Sequence, residues 1–271
     1  MLTKRPPARP SPPAPSNSLE RALAILEKIA ARPGGLTNKQ ISEELGIATS
    51  TCSYILGRLE REGYLARTAA TGRYEIGLKV LAIARGALRQ VNFGKVAESV
   101  LRRLSSETGL ETLIGVLDQE RLMVVTRVPS DELPDADVDT GTEFPAHAMS
   151  TGKMLLAHLP VEEVEALIAE KGLAKLTSKT ISSKDQLFAE LAQVRARGYS
   201  IAEEEFRLGM RSIAVPIVDS RRAVRAALAA IGRTKQPIWR ELPAVLAALK
   251  AAAREISRSM THFAVDGLIR R

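Results

Sequence analysis

Apolar residues fall at helical spacing three times in the first stretch of the chain. Leu19, Leu23, Leu26 and Ile29 define one face of a helix over 18–31, which Pro33-Gly34-Gly35 ends. Thr37 followed by Gln40 is a capping-box signal, in which a hydroxyl and an amide satisfy the orphan amides of a helix start. Ile41 and Leu45 then share a face, and Gly46 is placed to close this short helix in the left-handed region. After the turn at Gly46-Ile47, Cys52, Ile55, Leu56 and Leu59 mark the inner face of a helix over 49–62 that Gly63 ends. Segments 64–67 and 73–76 read as two strands around a turn containing Gly72.

Beyond this point the pattern becomes mixed. Leu78, Leu81 and Leu88 predict a connector helix over 78–90, and Val96, Val100, Leu101 and Leu104 a helix over 93–108 ending at Gly109. Strands are expected at 111–117, 121–128, 200–204, 212–218 and 223–232, and helices at 151–158, 161–170, 183–197 and 242–262. Helices packed on an antiparallel sheet, an α+β chain, is the class these elements suit. Asp219-Ser220-Arg221-Arg222 lacks a glycine where a tight hairpin is expected, which points to an altered turn.

The outer face of the helix at 49–62 carries Ser50, Thr51, Ser53, Tyr54, Gly57, Arg58 and Arg61. Short hydroxyls, one aromatic ring and arginines suit a helix that enters the major groove, where phosphates and base edges call for donors and close approach. Gly57 costs about 1 kcal/mol against Ala in mid-helix, so it marks close packing or close approach to DNA. The two strands then make a wing with Arg67 and Arg73 as phosphate contacts. Taken alone, the helix pair fits an ordinary solvated helical pair equally well. Charge tilts the balance: residues 1–90 hold 14 basic and 7 acidic residues, whereas 91–271 hold 25 and 24. Positive charge concentrated on a reading head is the footprint of a phosphate-binding module. No basic amphipathic helix with a broad apolar face favours a membrane instead. Aromatics at 4 % give little for the stacking that single-stranded nucleic acid requires. The candidate DNA contacts are Thr37, Thr49, Ser50, Thr51, Ser53, Tyr54, Arg58, Arg67 and Arg73.

The remaining composition limits the alternatives. A length of 271 residues accommodates two domains. Cys52 is the lone cysteine, cannot form an internal disulfide and reads as a small core residue, with redox sensing the alternative. Residues 1–17 are Pro-rich and basic without an apolar core, so a disordered arm is expected there and not a signal peptide. No run of about 18 apolar residues occurs, and a soluble cytoplasmic protein is the expectation. His147, His158 and His262 lack metal-ligand spacing, and Ser150, Thr151 and Lys153 follow no Gly-rich strand-to-helix turn; neither a metal site, nor a cofactor, nor an enzyme is expected. His147, Lys153 and Glu203-Glu204-Glu205 read as structural, and the acidic stretch Asp131, Glu132, Asp135, Asp137 and Asp139 as a solvated loop.

Two sets of motifs together resemble the IclR family of bacterial transcription regulators, from Ser18 to about His262. One is Ser18-Leu19-Glu20-Arg21-Ala22-Leu23 with Gly34-Gly35-Leu36-Thr37 and Gly72-Arg73-Tyr74. The other is 145–153 (PAHAMSTGK), Gly198-Tyr199-Ser200, Glu203-Glu204-Glu205, Gly209-Met210-Arg211 and 213–217 (IAVPI). The resemblance implies a winged helix-turn-helix head at 18–77, a dimerising linker helix at 78–91 and a GAF-like α/β effector domain at 92–271. It also implies double-stranded DNA, a small-molecule effector and a second copy of the chain, as homodimer or homotetramer, for partners.

By the same resemblance, Ser150, Thr151, Ala202, Met210, Ser212, Ala229 and Ile231 line the effector pocket. Family members that take small carboxylates commonly place Asp at the position of Ala202, Cys at Ser212, and Ser at Ala229 and Ile231. Three of these four positions are apolar here. A carboxylate needs several fixed donors to offset its desolvation, so a larger and less polar effector, aromatic for instance, is the expectation. A pocket filled by its own side chains, in an effector-independent or architectural DNA-binding protein, is the alternative. Members also often carry basic residues where Thr49, Ser53 and Tyr54 stand, so base preference is expected to differ.

Overall fold

The computed structural model describes residues 17–90, 94–118, 121–131, 133 and 141–259. The arm at 1–16, most of the acidic stretch and the end of the last helix lie outside the described residues. The chain divides into two compact units, Met1–Leu88 and Arg89–Arg271.

In the first unit, α1 (Ser18–Ala30), α2 (Asn38–Leu45) and α3 (Thr49–Arg61) enclose a small core with the hairpin β1 (Leu65–Arg67) and β2 (Tyr74–Ile76). The capping box forms: Thr37 Oγ1 accepts from the Gln40 amide at 3.3 Å, and the Gln40 side chain accepts from the Thr37 amide at 3.0 Å. Gly46 ends α2 at φ 63°, where a side chain would be strained. Cys52, Ile55 and Leu56 face inward from α3. The face expected for α1 is corrected. Ile25 and Ile29 are buried with Ala22 and Leu26 against them, whereas Leu19 is 70 % and Leu23 51 % exposed. At 100° per residue the inward stripe is set by Ile25, and Leu19 and Leu23 lie to one side of it. Leu36 bridges Tyr74, adding a short third edge to the hairpin. Gly35 makes this possible: at φ 68°, a Cβ there would stand 2.4 Å from the Tyr74 carbonyl oxygen.

Helix α4 (Lys79–Gln90) leads out of this unit. The second unit begins with α5 (Gly94–Thr108), followed by β3 (Glu111–Asp118), β4 (Arg121–Val128), β5 (Glu143–Phe144), α6 (Ser150–Leu156), α7 (Val161–Lys171), α8 (Lys184–Arg197), β6 (Ser200–Glu203), β7 (Met210–Val218), β8 (Val224–Arg233) and α9 (Leu242–Ser259). The strands form one antiparallel sheet in the order β5-β4-β3-β8-β7-β6. Alternation along β8 divides the core. Ala226, Leu228 and Ala230 join the layer of α5 and α9, while Ala227, Ala229 and Ile231 join that of α6, α7 and α8. Alanines are weak strand formers, but here they let α6 lie close on β7 and β8.

Two features differ from the sequence expectation, and one expected irregularity is present. The two-residue β5 and the 3-10 turns Ala146–Ala148 and Pro237–Glu241 are too short to leave a periodic signal. The strand expected at 200–204 stops at Glu203, because Glu204 takes φ 58°. In the β7–β8 turn, Arg222 occupies the left-handed region at φ 62°, and Asp219 Oδ1 accepts from the amides of Arg221 and Ala223 at 2.9 Å each. The turn is thus built by an aspartate side chain where a glycine would ordinarily relieve the backbone.

Candidate DNA-reading surface and candidate ligand cleft

In the head, α3 presents Thr49, Ser50, Ser53, Tyr54 and Arg58 to solvent, with Tyr54 66 % exposed and Thr51 half-buried. Its N-cap, Ala48, offers no side-chain acceptor, so the first-turn amides remain available to an anion. Ser42, which the sequence reading passed over, fixes the turn between the helices. Its hydroxyl donates to the Ile47 carbonyl at 2.6 Å and lies 3.1 Å from Thr49 Oγ1. Thr37 is half-buried in its capping box, so its hydroxyl is engaged within the head. The two wing arginines differ. Arg67 is exposed, its guanidinium 5.5 Å from the centre of the Tyr74 ring. Arg73 is half-buried and donates from Nη1 to the Gly35 carbonyl at 2.8 Å, which ties the wing to the loop before α2.

In the second unit a cleft of about 30 Å³ of water-accessible space, room for two or three waters, opens between the sheet and the 204–209 loop. Its lining includes Ala202, Met210, Ser212 and Ile231, together with Glu111, Leu113, Ala148, Met149, Glu205, Phe206, Arg207 and Arg211. Of the residues the resemblance implied, Ser150, Thr151 and Ala229 are fully buried and stand outside that lining. The hydroxyls of Ser150 and Thr151 have no hydrogen-bond partner among the described residues. Gly152 lets this end of α6 approach the preceding turn, since a Cβ would fall 2.1 Å from the Ala146 carbonyl oxygen.

Of the charged groups read as structural from sequence, Lys153 and Glu205 are buried and paired, whereas Glu203 is exposed. Lys153, 1 % exposed, reaches Glu205 Oε1 at 2.6 Å and Glu190 Oε1 at 3.6 Å; Glu190 also meets Arg197 at 2.7 Å. Thr177 and Thr180 hydroxyls donate to the Glu204 and Glu205 carbonyls at 2.6 Å each, and Glu204 Oε1 accepts from the Gly209 amide at 2.8 Å. These bonds hold the loop through the strained Glu204. Burial pushes the Glu205 carboxyl above the ordinary carboxylate range, with the Lys153 ammonium opposing it. Glu111 receives a two-pronged contact from Arg127 at 2.9 and 2.8 Å. Neither acid gave a sequence signal as cleft lining, because each lies beside its cation only in the folded chain. His147 Nε2 donates to the Ala174 carbonyl at 3.0 Å, and burial holds its pKa below the usual histidine value. Among the described residues no cluster of three His, Cys, Asp or Glu side chains is suited to a metal, and no helix is long and apolar enough to cross a membrane.

A winged helix-turn-helix head joined to a separate α/β domain with an internal cleft defines a DNA-binding regulator. The comparisons give the family. Residues 85–258 match the domain described as "Bacterial transcriptional regulator IclR C-terminal" and residues 18–69 the "IclR helix-turn-helix domain". The chain is 32 % identical over 217 residues, 79 % of each chain, to the transcriptional repressor IclR of Escherichia coli (strain K12). It is similar in structure to Thermotoga maritima IclR, at 25 % identity and a TM-score of 0.73 over 90 % of this chain and 99 % of that one. It shares its fold with an IclR homologue of Microbacterium hydrocarbonoxydans complexed with 4-hydroxybenzoate, at 24 % identity and a TM-score of 0.81, with the same coverage. The chain belongs to the IclR family of bacterial transcriptional regulators, whose members are regulators and not enzymes.

Proposed function

We propose that this regulator is a homodimer, or a pair of dimers, that reads a pseudo-palindromic operator in the cytoplasm and changes its grip on DNA when a small molecule enters the cleft of the second unit. The head at 18–77, linker at 78–91 and effector domain at 92–271 divide this work. The observation that carries the reading is the presentation of α3: its hydroxyls, Tyr54 and Arg58 face solvent, while its apolar face is locked into the head core. Ser50, Thr51, Ser53 and Tyr54 then face base edges and Thr49, Arg58 and Arg67 the backbone, while Thr37 and Arg73, engaged within the head, hold that surface in place. Half-sites stand about 10 bp or a multiple apart. Support for self-association comes from apolar side chains left in solvent, among them Leu19 and Leu23 on α1 and Leu81 and Ile83 on α4.

For the effector we favour a body that is largely apolar, against Leu113, Met149, Phe206, Met210 and Ile231, with Ser212 in the wall, and with Ser150, Thr151 and Ala229, which the cleft lining omits, reached only if the walls move. The 4-hydroxybenzoate bound to the Microbacterium hydrocarbonoxydans homologue supports an aromatic ligand. A ring exceeds the space present, so its entry must displace walls, and Met149 and Met210 are the most adaptable of them. That displacement gives ligand binding a mechanical consequence. The same narrowness favours a second reading, in which the side chains fill the cleft and DNA binding answers to no effector. Fluorescence anisotropy on the DNA flanking the protein's own gene, in competitor DNA and with a panel of aromatic and aliphatic acids, separates them. A typical coupling of about 1–3 kcal/mol moves affinity roughly 5- to 150-fold; specific binding that no ligand shifts favours the second.

A further inference from the structure

Glu205 is the member of the buried ion-pair network that faces the cleft. Its Oε1 is taken by Lys153, while its Oε2 is buried and makes no hydrogen bond of good geometry among the described residues, the Glu203 amide being near enough only to favour the charged form. Thr180 donates to the Glu205 carbonyl and fixes the backbone beneath it. A desolvated carboxylate oxygen without a well-placed donor is costly, and a preset acceptor of this kind rewards a ligand that brings one. We infer that the molecule this cleft receives carries a hydroxyl group that donates to Glu205 Oε2. The inference rests on the cleft being the effector site.

The charges of the wall favour a hydroxyl over an ammonium. Lys153 already balances Glu205, and Arg127 balances Glu111. Arg207 and Arg211 add positive charge to the lining, with Arg211 no nearer than 3.9 Å to Glu203. A cation would meet two guanidinium groups on its way to a carboxylate that is already paired, whereas a neutral or anionic hydroxyl compound would not.

The test uses the full-length protein with 13C-labelled methionine methyls, because Met149 and Met210 line the cleft and report occupancy. Phenol is titrated against toluene, and p-cresol against p-xylene, pairs that differ by a hydroxyl for a methyl. Phenol and p-cresol are expected to bind at least 10-fold more tightly than their partners although they leave water less readily. In the double variant Lys153→Met, Glu205→Leu, which removes both charges together, that preference is expected to fall below 2-fold. Toluene and p-xylene binding the wild type as well as the hydroxyl compounds overturns the inference and leaves the cleft as a ligand site. A hydroxyl preference that survives in the double variant overturns it too, since the acceptor then lies elsewhere. Methyl signals that none of the four compounds moves overturn the inference together with the effector reading beneath it. If the double variant fails to fold, the wild-type preference decides.

Discussion

The two units treat their polar groups in opposite ways. The head buries apolar side chains and, among the described residues, a single polar one, Ser42, while most of its hydroxyls and arginines stand in solvent. The second unit encloses Glu111, His147, Ser150, Thr151, Lys153, Thr180 and Glu205 within or beside its core. The difference fits the proposed division of work, in which the head meets a duplex and the second unit receives a small molecule. A DNA duplex is larger than the head and can be met only by groups on its outside. A small molecule is surrounded, so the groups that recognise it must be desolvated in advance and held by partners.

The sharpest way to break this comparison is to strip the second unit of one charge. Lys153→Ala leaves Glu205 buried beside Glu190 without its cation, and is expected to cost about 3–5 kcal/mol in denaturant unfolding. Lys153→Met with Glu205→Leu should recover most of that loss, because both charges go together. A cost below about 1 kcal/mol for Lys153→Ala would mean that the polar interior is solvated after all.

Next in size are the wing arginines, which separate binding from folding inside the head. Arg73→Ala removes a half-buried charged hydrogen bond to the Gly35 carbonyl and should lower the stability of the head by roughly 1 kcal/mol, weakening DNA binding on every sequence as a result. Arg67→Ala should leave thermal stability unchanged and reduce the slope of log affinity against log salt by about 0.9, the loss of one phosphate contact. If the two variants behave alike in both measurements, the distinction between strut and phosphate contact is wrong.

Sequence reasoning reached the two units unequally for the same reason that they differ. In the head the chemistry is local. Thr37 and Gln40, Gly46, and the Cys52-Ile55-Leu56 stripe each signal within one or two helical turns, and the structure places them accordingly. The α1 face failed because Ile25 and the run of leucines offer two stripes, and only packing selects between them. In the second unit the long strands were legible, but Glu205 and Lys153 are 52 positions apart and Glu111 and Arg127 16, so no spacing announces them. The glycine-free hairpin was the exception: its missing glycine pointed to a local anomaly, which appears as Arg222 at φ 62°.

His147 adds a pH dependence that the head, which has no histidine, cannot share. Its folded-state pKa lies below the ordinary histidine value because burial disfavours the imidazolium, with the Ala174 carbonyl opposing and the Lys153 charge adding to the effect. A depressed pKa supplies stability above the unfolded value of about 6.5, and that stability is lost as pH falls through the folded value. Glu205, raised by burial, runs the other way, so the wild type must be set against His147→Gln. As pH falls from 7 the wild type should lose melting temperature relative to the variant; parallel curves would place the histidine in contact with water.

The smallest effect expected is at the β7–β8 turn. Arg222 holds a left-handed backbone that costs a side-chain-bearing residue roughly 1 kcal/mol, and glycine adopts it without that strain but loses more chain entropy on folding. Arg222→Gly should therefore stabilise the second unit by less than about 1 kcal/mol, visible as a small rise in melting temperature with the head unaffected. Asp219→Ala is the counterpart: it removes the acceptor for the amides of Arg221 and Ala223 and the partner of Arg225 at 2.8 Å, so it should destabilise the same turn. If Arg222→Gly lowers the melting temperature instead, chain entropy outweighs the relief of backbone strain, and the aspartate-built turn is already close to its own optimum.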